Sequence, residues 1–238
     1  MNPATELREI IGQMKLLITA NRDMGLDFSK YSKYIKDFII EDKSRTTILE
    51  ELRGFIGECT RCGLSQGRKR LVFGEGSERA KLVFVGEGPG HDEDIEGRPF
   101  VGEAGKLLTK IIENGMHLKR EDVYICNVVK CRPPGNRDPE KSEIETCLPF
   151  LREQLRIINP MVICTLGRIA VQALLGKEFK ITQERGKWHS FMDIPLMPTY
   201  HPAYILRNPG RERELKGEVW KDIQAIMAYL GLEVNNNV

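Results

Sequence analysis

Four short apolar runs constrain this chain more than any other feature: Leu82-Val83-Phe84-Val85, Val123-Tyr124-Ile125-Cys126, Met161-Val162-Ile163-Cys164, and Ile194 to Tyr200. Helical patterns separate them. Leu107, Leu108, Ile111 and Ile112 share one side between the first two runs, and Ile144 to Ile158, stopped by Pro160, lies between the second and third. A half-exposed strand alternates apolar and polar residues, whereas a run that is apolar throughout is covered on both faces, the condition of parallel strands between helical layers. The expected fold is α/β: a three-layer α/β/α sandwich with a mainly parallel four-stranded central sheet, closed by a helix from Val219 to Leu230.

The first residues read differently. Leu7, Ile10, Ile11, Met14, Leu17 and Ile18 recur at helical spacing, and Tyr31 to Ile40 fits a second short helix. Thr46 is placed to cap a third helix that carries Ile48, Leu49, Leu52 and Ile56. The expected division is an N-terminal helical extension over residues 1–57 and a main α/β domain over 58–238. A length of 238 residues with 41% hydrophobic content supports one such core. The formal net charge of +2 argues neither for nor against nucleic acid, so any such contact needs local clustering of Lys and Arg. No signal-like segment stands out, and no apolar run approaches the roughly 20 residues that span a bilayer. A cytoplasmic location away from membranes is expected. Thiols stay reduced there, so the six cysteines must serve metal ligation, catalysis or plain burial.

Cys59-Thr60-Arg61-Cys62 is a C-x-x-C pair, and Cys131 and Cys147 add two thiols, with a loop, Arg132 to Pro139, between them. A redox pair would sit directly after a strand, whereas this pair precedes the first one. The four cysteines therefore read as one ligand set, and their spacing suits zinc and an iron–sulfur cluster equally. Cys126 and Cys164 lie inside apolar runs and read as core residues.

In a parallel sheet the site lies beyond the carboxyl ends of the strands. The residues to inspect are Gly86-Glu87-Gly88-Pro89-Gly90, Asn127, Gly167 and His201-Pro202. The glycine turn fails the dinucleotide pattern at His91 and lacks the G-K-[ST] of a P-loop. It remains a turn whose amides can closely approach a planar ligand, with a carboxylate beside it. His201 can donate to a developing oxyanion. Behind it, Tyr204, Ile205, Leu206 and Arg207 form an apolar and basic wedge suited to a nucleic-acid groove, where Arg207 and Arg211 meet phosphates.

Taken together, Cys59-x-x-Cys62, Gly86-Glu87-Gly88-Pro89-Gly90 with Glu93-Asp94, Gly97 to Gly102, Asn127-Val128-Val129-Lys130-Cys131-Arg132-Pro133-Pro134, Cys147, Arg185-Gly186-Lys187-Trp188 and His201 to Pro209 resemble the bacterial and archaeal iron–sulfur uracil-DNA glycosylases of the family 4 type. The resemblance runs from Cys59 to about Leu232 and omits the N-terminal helices. It implies a 4Fe–4S cluster on Cys59, Cys62, Cys131 and Cys147. It implies that Asn127 reads the uracil edge, that Phe100 stacks on the flipped base, and that the Glu87–Gly88 turn and His201 bind O2. For water activation Glu87 is the first choice of carboxylate, with Glu93 as a second candidate or pocket wall. Arg132 joins the wedge residues as a DNA contact. A branch that crosslinks to DNA carries a histidine in the loop before the last cluster cysteine. Residues 132–146 contain none, so simple hydrolytic release is expected. The implied partner is uracil-containing DNA, the implied state a monomer, and residues 1–57 remain for a protein partner. The rival readings are a cluster-stabilised DNA-binding module without glycosylase chemistry, and an electron-transfer protein.

Overall fold

The structure, a computed structural model, describes residues 45–233. The helices expected over Leu7 to Ile18 and Tyr31 to Ile40 lie outside the described residues. Of these, residues 49–233 lie in one compact unit. In chain order the elements are α1 (Arg45–Ile56), β1 (Glu75–Gly76), β2 (Leu82–Gly86), α2 (His91–Glu96), α3 (Glu103–Lys110), β3 (Tyr124–Asn127) and α4 (Lys141–Ile158). There follow β4 (Val162–Leu166), α5 (Arg168–Leu175), α6 (Ile181–Glu184), β5 (His189–Phe191), β6 (Ile194–Thr199), α7 (Pro202–Leu206) and α8 (Glu212–Leu230). A π-helical turn, Ile111–Gly115, prolongs α3.

Among the described residues the sheet has six strands in the order β1-β3-β2-β4-β6-β5, not four. The four apolar runs are its parallel centre, and β1 and β5 are antiparallel edges. Every residue of β2, β3 and β4 is buried. Since successive side chains point to opposite faces, both faces are covered, as the three-layer expectation requires. The edges escaped the sequence reading for separate reasons. β1 is two residues long, and Glu75 is tied at 2.8 Å to both Arg98 and Arg120. β5 joins β6 through Met192-Asp193, both at positive φ (53° and 63°), a turn that usually signals itself with Asn or Gly.

Helix starts also differ from the expected ones. Thr46 lies within α1 rather than capping it, and α4 and α8 begin at Lys141 and Glu212, ahead of Ile144 and Val219. Their opening turns are polar, so an apolar period marks where a helix is buried and not where it begins. Against the sheet, Phe84, Leu108, Ile112, Ile125, Val219 and Ile223 belong to one buried cluster. Cys126 and Cys164 are 1% and 0% exposed, core residues as read. Among the described residues no helix is long and apolar enough to cross a membrane.

One polar brace fixes the strand end that leads to His201. Asp222 on α8, 2% exposed, accepts from Thr199 Oγ1 at 2.6 Å and from Arg185 Nε at 2.9 Å. Burial pushes the Asp222 carboxyl up, and the Thr199 and Arg185 hydrogen bonds oppose that shift. Removing one partner of a buried ion pair strands the other charge at a cost of roughly 3–5 kcal/mol. Arg185→Met should therefore lower the thermal midpoint markedly, whereas Thr199→Val should cost only about 1 kcal/mol. Thermal unfolding followed by circular dichroism checks both.

Candidate active site

Strand pairing brings the polar strand ends together. Gly86 pairs with Asn127, and the alignment continues beyond the strands, with Val128 N–H donating to the Gly86 carbonyl at 2.9 Å and Val129 N–H to the Glu87 carbonyl at 3.1 Å. On the other side Leu166 pairs with Thr199, and Gly167 N–H donates to the Thr199 carbonyl at 2.9 Å. These ends open on one cavity of about 480 Å³, where Glu87, Gly88, Glu93, Phe100, Asn127 and His201 meet.

Gly86 is where the walls come closest. A Cβ there would stand 2.4 Å from Asn127 Oδ1 and 2.6 Å from Phe100 Cζ, so only glycine lets amide and ring share this floor. Phe100 adopts φ 53°, and its ring stacks on His201 with centroids 5.5 Å apart. Asn127 is 1% exposed, yet its Oδ1 has no hydrogen-bond partner. An unpaired buried acceptor costs about 1–3 kcal/mol, so this oxygen stands ready for a ligand N–H.

His201 caps α7, and its Nδ1 accepts from Ala203 N–H at 3.1 Å. The ring proton is thereby left to Nε2, which can donate. Burial, with the Arg207 charge adding to it, lowers the His201 pKa to about 4, so the ring is neutral at neutral pH. Glu87 moves the opposite way: burial and then the Asp138 carboxylate raise it to about 7, against the pull of Arg168 and Arg207. Glu93 is differently engaged. Its Oε1 accepts from Val101 and Gly102 N–H at 2.9 and 3.0 Å, and its Oε2 from Gly90 N–H at 3.0 Å.

At the rim, Tyr204 and Arg207 line the cavity, and Leu206 follows on α7 with 42% exposure. Arg211 and Arg132 are not among its lining residues. Arg211 grips Glu214 through two bonds of 2.8 and 2.9 Å, and Arg132 donates to Asn136 Oδ1 at 2.8 Å. The structure instead brings in Asp138 and Arg168, ion-paired at 2.6 Å, and Arg137. Of these, Arg137 stood out in the sequence as a basic loop residue, and Asp138 and Arg168 did not. Gly167 had marked the strand end, so Arg168 one residue later was within reach, but nothing in the loop of Arg137 and Asp138 said which way it folds.

The other four thiols line a second recess, with Arg68 and Lys130. Cys59 and Cys62 follow α1, and Cys131 follows β3, but Cys147 stands on α4 itself and not in a loop. Lys130 N–H donates to Cys147 Sγ at 3.3 Å, and Arg68 to Cys131 Sγ at 3.3 Å and to the Cys59 carbonyl. Among the described residues no three His, Cys, Asp or Glu side chains come together as a single-ion site.

The uracil DNA glycosylase superfamily model matches residues 73–224. A Type-4 uracil-DNA glycosylase of Thermotoga maritima is 45% identical over 193 residues, which cover 80% of this chain and 98% of that protein. One from Sulfurisphaera tokodaii is 47% identical over 181 residues, 73% of this chain and 82% of its own. A Type-5 uracil-DNA glycosylase of Pyrobaculum aerophilum is 30% identical over 152 residues, 57% of this chain and 67% of its own.

The raised Glu87 carboxyl has a consequence for stability. A carboxyl that binds its proton more tightly folded than unfolded favours folding fully below the unfolded value of 4.5, and that contribution is lost as pH rises to about 7. Glu87→Gln, which cannot ionise, should match the native chain near pH 4 and exceed it in stability above pH 7. The gain is at most about 3 kcal/mol by the one-unit equivalence. Urea titrations across pH read the difference.

Proposed function

The chain belongs to the uracil DNA glycosylase superfamily, among its type-4 members, and we propose that it hydrolyses the bond between uracil and deoxyribose in DNA, leaving an abasic site. The observation that carries this reading is the unpaired, buried Oδ1 of Asn127 at the floor of a cavity that also holds a neutral imidazole and a carboxyl poised near neutrality. Uracil offers an N3–H donor and an O4 acceptor. The Asn127 amide complements both, and cytosine, with an acceptor at N3 and an amino donor at C4, inverts the pattern. A base must leave the duplex to reach such a floor. Tyr204 at the cavity wall and the exposed Leu206 on the same helix would fill the gap, and Arg207 would meet phosphate.

Cleavage sends the C1′–N1 electron pair onto the departing uracil, with charge spread to O2. His201 Nε2–H donates to that oxygen. A neutral donor whose Nδ1 is already engaged keeps its proton, so it stabilises the anion without protonating it. The Glu87 carboxylate takes a proton from the water that attacks C1′, and that proton later reaches the uracil anion. Glu93, with three backbone donors, holds the turn at Gly90 against the Val101-Gly102 segment that carries Phe100. The rival reading of a binding module without chemistry leaves the Asn127 acceptor and the Glu87 carboxyl without a task.

Cys59, Cys62, Cys131 and Cys147 would hold a 4Fe–4S cluster. The four thiols wall one recess, and the N–H donors of Lys130 and Arg68 suit thiolate sulfur. Holding the cluster, these four cysteines would tie together the exit of α1, the end of β3 and the body of α4. All six cysteines are free thiols, which suits a reducing, cytoplasmic setting.

Release of free uracil from a uracil-containing oligonucleotide tests the activity. Asn127→Ala and His201→Ala should each lose about 10²–10³-fold in rate; unchanged rates would refute their roles. The rate should rise with pH through about 7 as Glu87 ionises, with no limb from His201 in that range, and Glu87→Gln should be slow and flat. For the cluster, Cys131→Ala should lose visible absorbance and melt lower than the native chain, because metal-site binding energy is folding energy. An unchanged melting profile contradicts the bracing role.

A further inference from the structure

We infer that Lys130 is a positioning residue for Asn127, holding the base-reading amide in place without touching the base. The inference rests on the role proposed for Asn127. Lys130 is 1% exposed, and its Nζ donates to the Asn127 carbonyl at 2.8 Å and to Gln154 Oε1 at 2.5 Å. Gln154, fully buried, in turn donates to the Phe73 carbonyl at 2.9 Å and to Tyr124 Oη at 3.0 Å. The Lys130 main chain is pinned at both ends: its carbonyl accepts from Val72 N–H at 2.8 Å, and its N–H meets Cys147 Sγ at 3.3 Å.

The physical reason for such a lysine lies at the strand terminus. Asn127 is the last residue of β3 and is buried, so its carbonyl must find its donor within the protein. The peptide that follows is held by β2 through Val128 N–H. The carbonyl of that same peptide needs a donor of its own, and Lys130 Nζ provides one from a rigid anchor. Packing alone would be met by an apolar side chain of the same length, and burying a lysine nitrogen is costly unless its hydrogen bonds are used. Because Asn127 Oδ1 sits in the gap left by Gly86, a small rotation of the 127–128 peptide carries the amide out of register with the cavity. Misplacement of a reading group by about 1 Å can cost on the order of 10²-fold in rate.

A double-mutant cycle in the full-length, cluster-loaded protein tests this. Lys130→Met, Asn127→Ala and the pair are compared for kcat/KM on a uracil oligonucleotide and for inhibition by free uracil. Lys130→Met should lose roughly tenfold to a hundredfold in kcat/KM, bind free uracil more weakly, and add no further loss in the Asn127→Ala background, since residues acting as one unit are not additive. Native-like kinetics of Lys130→Met, or a loss that persists undiminished beside Asn127→Ala, overturns the inference alone. An unimpaired Asn127→Ala overturns the base-reading role and the inference with it. Should Lys130→Met not fold, Lys130→Gln, which keeps one donor for the carbonyl, is carried through the same cycle under the same criteria.

Discussion

The pairing of Gly86 with Asn127 at the carboxyl ends of two parallel strands is the contact on which the rest of the site depends. Parallel pairing puts the two strand ends at one height, and the absent Cβ at Gly86 lets a polar amide and an aromatic ring reach the same floor. Everything else is arranged around that meeting. Phe100 takes a left-handed backbone to face it, and Glu93 clamps the turn and the Phe100 segment through three backbone donors.

Burial then acts on two titratable groups in opposite senses. It disfavours whichever form is charged, so it depresses His201 and raises Glu87 within one cavity. The imidazole is thereby kept neutral at neutral pH, as the proposed oxyanion donor requires, and the carboxyl is set at about 7, where the proposed base would work. Asp138, Arg168 and Arg207 adjust the balance from the rim, and the Asp138–Arg168 pair also ties the loop after Cys131 to the start of α5.

Much of this site was legible because a parallel sheet tells a reader where to look. Glu87, Asn127 and His201 follow apolar runs directly, and polar groups at those places have few structural reasons to be there. Asp138, Arg168 and Lys130 were not legible. The first two come together across 30 residues through the course of a loop, and the last is a lysine in a buried stretch whose partner, Gln154, lies on a helix. Charge alone also did not show that Arg211 is held by Glu214 and Arg132 by Asn136, both outside the cavity lining.

The sequence by itself determined the parallel centre of the sheet and the strand-end residues, since continuous apolar runs have one comfortable place in a fold. It also set the grouping of four cysteines apart from the two in the core. Tertiary structure alone decided the edge strands, the state of Glu93, the rim charges and the buried link from Lys130 to Asn127. Those depend on distances between segments remote along the chain, and on burial, which converts the same side chain from a solvated charge into a clamp, a base or a brace.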